Sequence, residues 1–268
     1  MLGTSVNISV TLLYAVSAAL LAGELWRAPS YSRIGKWRRL SPAVLGFVLH
    51  GGLMLALVSQ SSGLDISFFN ALSLAAFAIV LLLLLFSALK PVEMLGIGLL
   101  PIAAVSVIAG ELLGDSLASM PLRGELQFHV ISSLLAYGVL SVGAMQAILV
   151  GIQAHLLRTH QPGGFVRALP PLNRMEELLF QLLAIGFALL SIALLSGFMY
   201  LHDMFAQHLV HKTVLSLVAW TVFGVVLLGR YVWGWRGLRA VRWTLAGLVF
   251  LLLAYFGSKF VLELLLQT

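Results

Sequence analysis

The chain has 268 residues, 60% hydrophobic and only 10% charged, with a mean hydropathy of +1.03. A soluble domain typically carries about 25% charged residues, so no soluble fold of this length covers so much apolar surface, and lipid is the expected solvent for most of it. The chain contains no cysteine, which excludes disulfides, thiolate metal sites, covalent c-type haem attachment and thiol redox chemistry, and its formal charge is +6.

Eight apolar runs approach the roughly 20 residues needed to cross a bilayer: 5–25, 42–60, 68–89, 92–110, 127–155, 176–201, 211–232 and 243–266. The first has no charged segment before it and no small-residue cleavage site after it, so a retained helix is expected and not a signal peptide. Arg27, Arg33, Lys36, Arg38 and Arg39 follow it. The third and fourth runs are joined by "ALKPVEM", a tight hairpin containing Lys90. Arg158, Arg167 and Arg174 follow the fifth run, in the Pro- and Gly-containing stretch "HLLRTHQPGGFVRALPPLNRMEE", expected as an exposed loop. Arg230, Arg236, Arg239 and Arg242 follow the seventh. Thirteen of the sixteen basic residues thus fall on one side, and Arg123, Lys212 and Lys259 on the other. The positive-inside rule places the thirteen in the cytoplasm and both termini outside it. The basic balance therefore reflects topology, and a nucleic-acid partner is not expected. The fold class is an all-α polytopic membrane protein, a bundle of eight transmembrane helices forming a single domain over 1–268.

Seven histidines punctuate this pattern. His155 and His160 fall at the cytoplasmic end among arginines and read as solvated loop residues, as does His208 in the outer loop. His202 reads as a helix cap or a partner of Asp203 as readily as a functional residue. His129, in "LQFHVISSLLAYG", and His211, in "LVHKTVL", begin spans at the outer surface. A positive dipole end there disfavours protonation, and neutral imidazole is the metal-binding form. His50 lies about 12 Å along the second span from Pro42, where a polar group is costly and points to function. Its small neighbours Gly46, Gly51 and Gly52 admit a close approach by another group.

Zinc is one reading of these imidazoles, but no HExxH spacing is present. Haem is another: it needs one or two axial histidines, an apolar slot lined by small residues and cations for its propionates. Ser133, Ala136, Gly143, Ala147 and Gly151 form a small face on the fifth span, and Gly186, Ala193 and Gly197 one on the sixth. Taken alone, these stripes favour helix packing. The three outer cations add weight to haem. Arg123 precedes His129 by six residues, Lys212 adjoins His211, and Lys259 lies near the outer end of the last span.

The segments "HVISSLLAYGVLSVGA", "HKTVLSLVAWTVFGVVLLGR" and "GWRGLRAVRWTLAGLVFLLLAYFGSKFVLE" resemble the cytochrome c assembly, or haem-handling, family, in its YpjD/HemX-like branch related to CcsA. The resemblance covers nearly the whole chain and is strongest from His129 to Glu263. It implies an eight-helix bacterial inner-membrane protein whose histidines associate with haem. It matches His129 to the family's outer haem histidine, and His50 to an early transmembrane one. The chain departs from the family where "HDMFAQHLVHKT" replaces the tryptophan-rich loop that presents haem to an apocytochrome. It departs again at "LLGRY" and "YFGSKF", which lack later histidines.

The resulting expectation is a b-type haem bound non-covalently near the outer face. His129 and His211 are the axial pair, His50 serves a second site or a haem passage, and His202 is a reserve ligand. Arg123, Lys212 and Lys259 contact propionates. Function is then haem handling or assistance to cytochrome assembly, with other assembly or membrane proteins as partners. No catalytic constellation is identifiable. Two other classes stay open. One is an accessory subunit of another membrane protein, using its histidines structurally. The other is a small-ion or small-molecule transporter, which the lack of an acidic residue in the middle of any span argues against.

Overall fold

The computed structural model describes residues 2–23, 33–60, 68–113, 124–160, 166, 169–200 and 210–257, and the regular structure among them is all helical. In chain order the helices are α1 (Leu2–Gly23), α2 (Arg33–Gln60), α3 (Phe68–Leu89), α4 (Gly96–Leu113), α5 (Gly124–Arg158), α6 (Leu172–Tyr200), α7 (Val210–Trp233) and α8 (Leu238–Leu252). A 3-10 turn, Glu93–Leu95, leads into α4, and a π-helical turn, Leu253–Gly257, extends α8. Eight membrane-length apolar helices result, one for each apolar run, and the chain is an all-α multi-pass membrane protein.

The residue pattern of α1 shows what lipid as a solvent does. Val10, Tyr14, Ser17 and Leu21, at steps of four, three and four, are fully buried. Ile8, Leu12, Val16 and Leu20, at steps of four, face outward and stay exposed. In water such a stripe would demand a partner; in a bilayer the acyl chains cover it. Hydroxyls within the spans satisfy themselves on the preceding turn, as Ser106 Oγ does on Ile102 O (2.8 Å) and Ser191 Oγ on Phe187 O (2.8 Å).

Several helix ends lie outside the apolar runs. Helix α2 begins at Arg33, so Pro42 lies inside it. Proline removes the bond to the carbonyl four residues back. That carbonyl, Arg38 O, instead accepts from Ser41 Oγ (3.0 Å), and its neighbour Arg39 O accepts from Ser17 Oγ of α1 (2.8 Å). Helix α8 begins at Leu238, so Arg239 and Arg242 belong to its first two turns. Helix α5 runs 35 residues, past both ends of its apolar run. Hydropathy ends where charge begins, but the backbone hydrogen-bond ladder does not. The "ALKPVEM" hairpin is as tight as expected: Lys90 N donates to Phe86 O (2.7 Å) and Leu95 N to Val92 O (2.9 Å).

The chain forms two compact units, one of residues 1–121 with 156–170, the other of 122–155 with 171–268. In the first, α1 packs on α2 and α4, and α3 packs on the same two helices, giving a closed ring of four. In the second, α7 packs on α6 and α8. Helix α5 meets α6 through Gly143 and Gly186, and α8 through Gly151 against Val241.

Lipid is as apolar as leucine, so close packing of small residues holds such helices together. Gly186 is the tightest example on α6: a Cβ there would lie 2.5 Å from Leu140 Cδ2 and 2.7 Å from Leu140 Cγ. Gly186→Leu is therefore expected to destabilise the second unit by about 1–3 kcal/mol or more. Thermal unfolding in detergent checks this, and the added substitution Leu140→Ala should recover part of the loss.

Candidate functional site

His129 sits in the second turn of α5, with its side chain half-buried. Its Nδ1 lies 3.0 Å from Ala193 O and 3.1 Å from Ser196 Oγ, both on α6. Ser196 Oγ itself donates to Ala193 O (2.8 Å). A carbonyl can only accept, so Nδ1 carries the proton and Nε2 bears the lone pair. Among the described residues Nε2 has no protein partner. Metal-binding histidines show this arrangement: the far ring N–H is tied to a carbonyl or carboxylate, which sets tautomer and ring direction.

His211 is the second residue of α7, exposed, with no protein partner among the described residues. Antiparallel succession puts the start of α5, the end of α6, the start of α7 and the end of α8 at the same end of this unit. His129, Ser196 and His211 share that end. So does Lys212, whose Nζ lies 6.0 Å from the centre of the Tyr255 ring in the π-helical turn. Tyr255 in turn meets Tyr137 edge-on at 6.3 Å, and Tyr137 donates to Leu251 O (2.8 Å). Arg123, His202, His208 and Lys259 lie outside the described residues.

His50 belongs to the first unit. It lies about 9 Å inside the Ala56 end of its span, nearer that end than counting from Pro42 implies. It is fully buried. Tyr14 Oη of α1 lies 3.3 Å from its Nδ1, and Ser73 Oγ of α3 lies 3.0 Å from its Nε2. Phe77 of α3 meets its ring edge-on at 5.4 Å. Both nitrogens are thus engaged, and one imidazole joins three helices. Two of the three small neighbours, Gly46 and Gly51, are filled by this same packing, while a Cβ on Gly52 would meet nothing within 4 Å. A Cβ on Gly46 would lie 2.9 Å from the Tyr14 ring, and one on Gly51 would lie 3.3 Å from Phe77.

The small-residue stripes of α5 and α6 are largely consumed by packing. Gly143 faces Leu182 and Leu183, Gly186 faces Leu140 and Val139, and Ala136, Ala147 and Ala193 are buried. The small faces of α5 and α6 are therefore filled where these residues meet, and among the described residues of this unit His129 offers a ring nitrogen placed to ligate. Among the described residues no group of three His, Asp or Glu side chains is placed to hold a metal ion, so a multidentate zinc site finds no support there. His155 is exposed in the last turn of α5, and His160 is exposed in the turn that ends it, with φ 54°, a left-handed helix stop.

Sequence reasoning missed several partners. Ser196 and Ser73 are lone serines in apolar runs, and only the fold pairs them with histidines. Thr4 Oγ1 and Asn7 Nδ2 of α1 donate to the two carboxylate oxygens of Glu111 on α4 (2.5 and 2.6 Å). Glu176, buried on α6, accepts from Gly237 N (2.8 Å).

Eight apolar helices, with a backbone-anchored imidazole at one end of a helical unit, define a polytopic helical membrane protein whose candidate chemistry lies with its histidines. Residues 40–266 match the family model described as cytochrome C assembly protein, and the chain belongs to that family. It is 32% identical over 260 residues to the inner membrane protein YpjD of Escherichia coli K12, spanning 94% of this chain and 95% of that protein. It is 25% identical over 140 residues to the cytochrome c biogenesis protein CcsA of Chlamydomonas reinhardtii, spanning 52% of this chain and 38% of that protein. An uncharacterized 28.8 kDa protein of Azospirillum brasilense is 32% identical over 143 residues, 53% of each chain. No solved structure matches. With its eight spans and this kinship, the chain is a multi-pass inner-membrane protein.

Proposed function

We propose that this protein handles haem in cytochrome assembly, holding a b-type haem non-covalently with His129 as an axial ligand. The carrying observation is the His129 ring, tied by Nδ1–H to Ala193 O with Nε2 left to ligate. His211, exposed at the same end of the unit, is the second axial ligand in this reading. When bound, haem supplies a one-electron iron centre whose potential and spin state follow its axial ligands. The chain's own contribution is to orient His129 through Ala193 and Ser196 and to offer Lys212, with Arg123 and Lys259, to the propionates. His50 fits less well, because iron would have to displace a hydroxyl from one of its nitrogens. The family membership, and the biogenesis role printed in the name of its relative CcsA, support haem as the ligand and other cytochrome-assembly proteins as partners.

The test is an absorbance spectrum of protein purified from haem-replete cells. A low-spin b-type spectrum is expected, with all haem extracted into pyridine because no cysteine can retain it. Folded protein without haem would replace this reading with that of an accessory subunit. Orientation has its own test. A reporter fused after Thr268 is expected outside the cytoplasm and a tag near Gly163 inside it; the reverse result would put the His129 end on the cytoplasmic face.

A further inference from the structure

The turn between α7 and α8 carries a surface that haem handling does not use. Residues 234–236 and Gly237 join two membrane spans, so the turn lies at a membrane surface whichever way the protein is oriented. Its tryptophans form a row: the rings of Trp233 and Trp235 are 6.1 Å apart, and those of Trp235 and Trp243 are 5.9 Å apart. Arg239 lies over the middle ring, its Cζ 5.5 Å from the centre. Trp233 and Trp243 remain 66% and 41% exposed, and Tyr231 82%. Arg236, Arg239 and Arg242 are exposed, and among the described residues none of them forms an ion pair.

The platform beneath this row is braced. Trp235 packs its ring onto Gly229, and its backbone N–H donates to Gly229 O (2.9 Å). Gly234 and Gly237 take positive φ, 63° and 59°, to make the turn. Arg230 Nη1 approaches Trp235 O at 3.5 Å, and Glu176 holds Gly237 N.

Helix physics disfavours this charge pattern. Arg239 and Arg242 are neighbours on the α8 surface, one helical turn apart, and like charges at that spacing repel. They also occupy the positive end of the helix dipole, whose first turn holds no acidic residue. Glu176 supplies one carboxylate, already engaged by Gly237 N. Locally costly placements of this kind call for a compensating anion. Aromatic rings at this level suit the headgroup region of a bilayer, where tryptophan and tyrosine concentrate. The apolar surface continues into the membrane through exposed Leu228 and Val232. We infer that the Trp233–Trp235–Trp243 row and Arg236, Arg239 and Arg242 form a docking face for an anionic phospholipid. The arginines meet its phosphate, and the rings lie along its glycerol and upper acyl chain.

Native mass spectrometry from detergent tests this, with phosphatidylglycerol or phosphatidylcholine of identical acyl chains titrated into the purified full chain. Wild type should retain phosphatidylglycerol over phosphatidylcholine. Each arginine near an anionic headgroup contributes about fivefold, so Arg239→Gln with Arg242→Gln should lower phosphatidylglycerol affinity about 30-fold and phosphatidylcholine affinity by much less. Arg242→Gln alone, which removes no contact among the described residues and so spares folding, should lower it about fivefold. Arg38→Gln with Arg158→Gln removes the same charge from exposed positions elsewhere and should bind as wild type does. The inference is overturned by equal retention of the two lipids in wild type. Equal losses in the two double variants, no loss in Arg242→Gln, or displacement of phosphatidylglycerol by equimolar inorganic phosphate would also overturn it, the last pointing to a soluble anion.

Discussion

His129→Ala is expected to remove the low-spin haem signal, leaving either a high-spin species or protein without haem. Losing a group that only orients a ligand typically weakens a metal site by about 10–100-fold, and losing the ligand itself should cost at least that. Ser196→Ala should fall at the lower end of that range, because Ala193 O still accepts the His129 Nδ1 proton. His211→Ala should open the other axial position. Lys212→Ala should weaken haem retention without changing the spectral type, since its ammonium, now over Tyr255, would meet propionate and not iron. His155→Ala and His160→Ala, at the opposite end of α5, should leave the spectrum alone. Retention of the wild-type spectrum by His129→Ala would sink the ligand assignment.

His50→Leu is expected to destabilise the first unit without altering the spectrum. It leaves Tyr14 Oη and Ser73 Oγ buried without their partner. Each stranded hydroxyl costs about 1–3 kcal/mol, so the pair should lower stability by about 2–6 kcal/mol. Adding Tyr14→Phe and Ser73→Ala should recover most of that loss, because replacing all partners of a buried polar contact with apolar groups of similar shape is nearly neutral. Chemical unfolding in detergent measures both steps. A spin-state change in His50→Leu, with none in His211→Ala, would instead make His50 the ligand.

These two histidines show why the site was only half legible. His129 is found by its place at the start of a span, and His50 by its cost inside one. Neither signal tells a ligand from a structural link. In the proposed reading, that distinction rests on what each ring nitrogen meets: a carbonyl and a serine of α6 on one side of His129, hydroxyls from α1 and α3 on both sides of His50. Lone serines such as Ser73 and Ser196 resemble any other serine in an apolar run until the fold sets them opposite an imidazole.

Eight spans were determined by the sequence alone, because each must place about 20 apolar residues in lipid and satisfy its own backbone. Span ends were less well determined. Pro42 and the arginines at 239 and 242 lie inside helices, since hydroxyls can serve the carbonyls that proline frees and long basic side chains can reach out of the hydrocarbon. The glycine and alanine stripes, taken alone, favoured a helix seam but left a cofactor slot open. Only the tertiary structure decided for the seam, by bringing Leu140 and Leu182 into the space beside Gly186 and Gly143. Periodicity along one helix says which face is small; what fills that face is a property of the neighbouring helix.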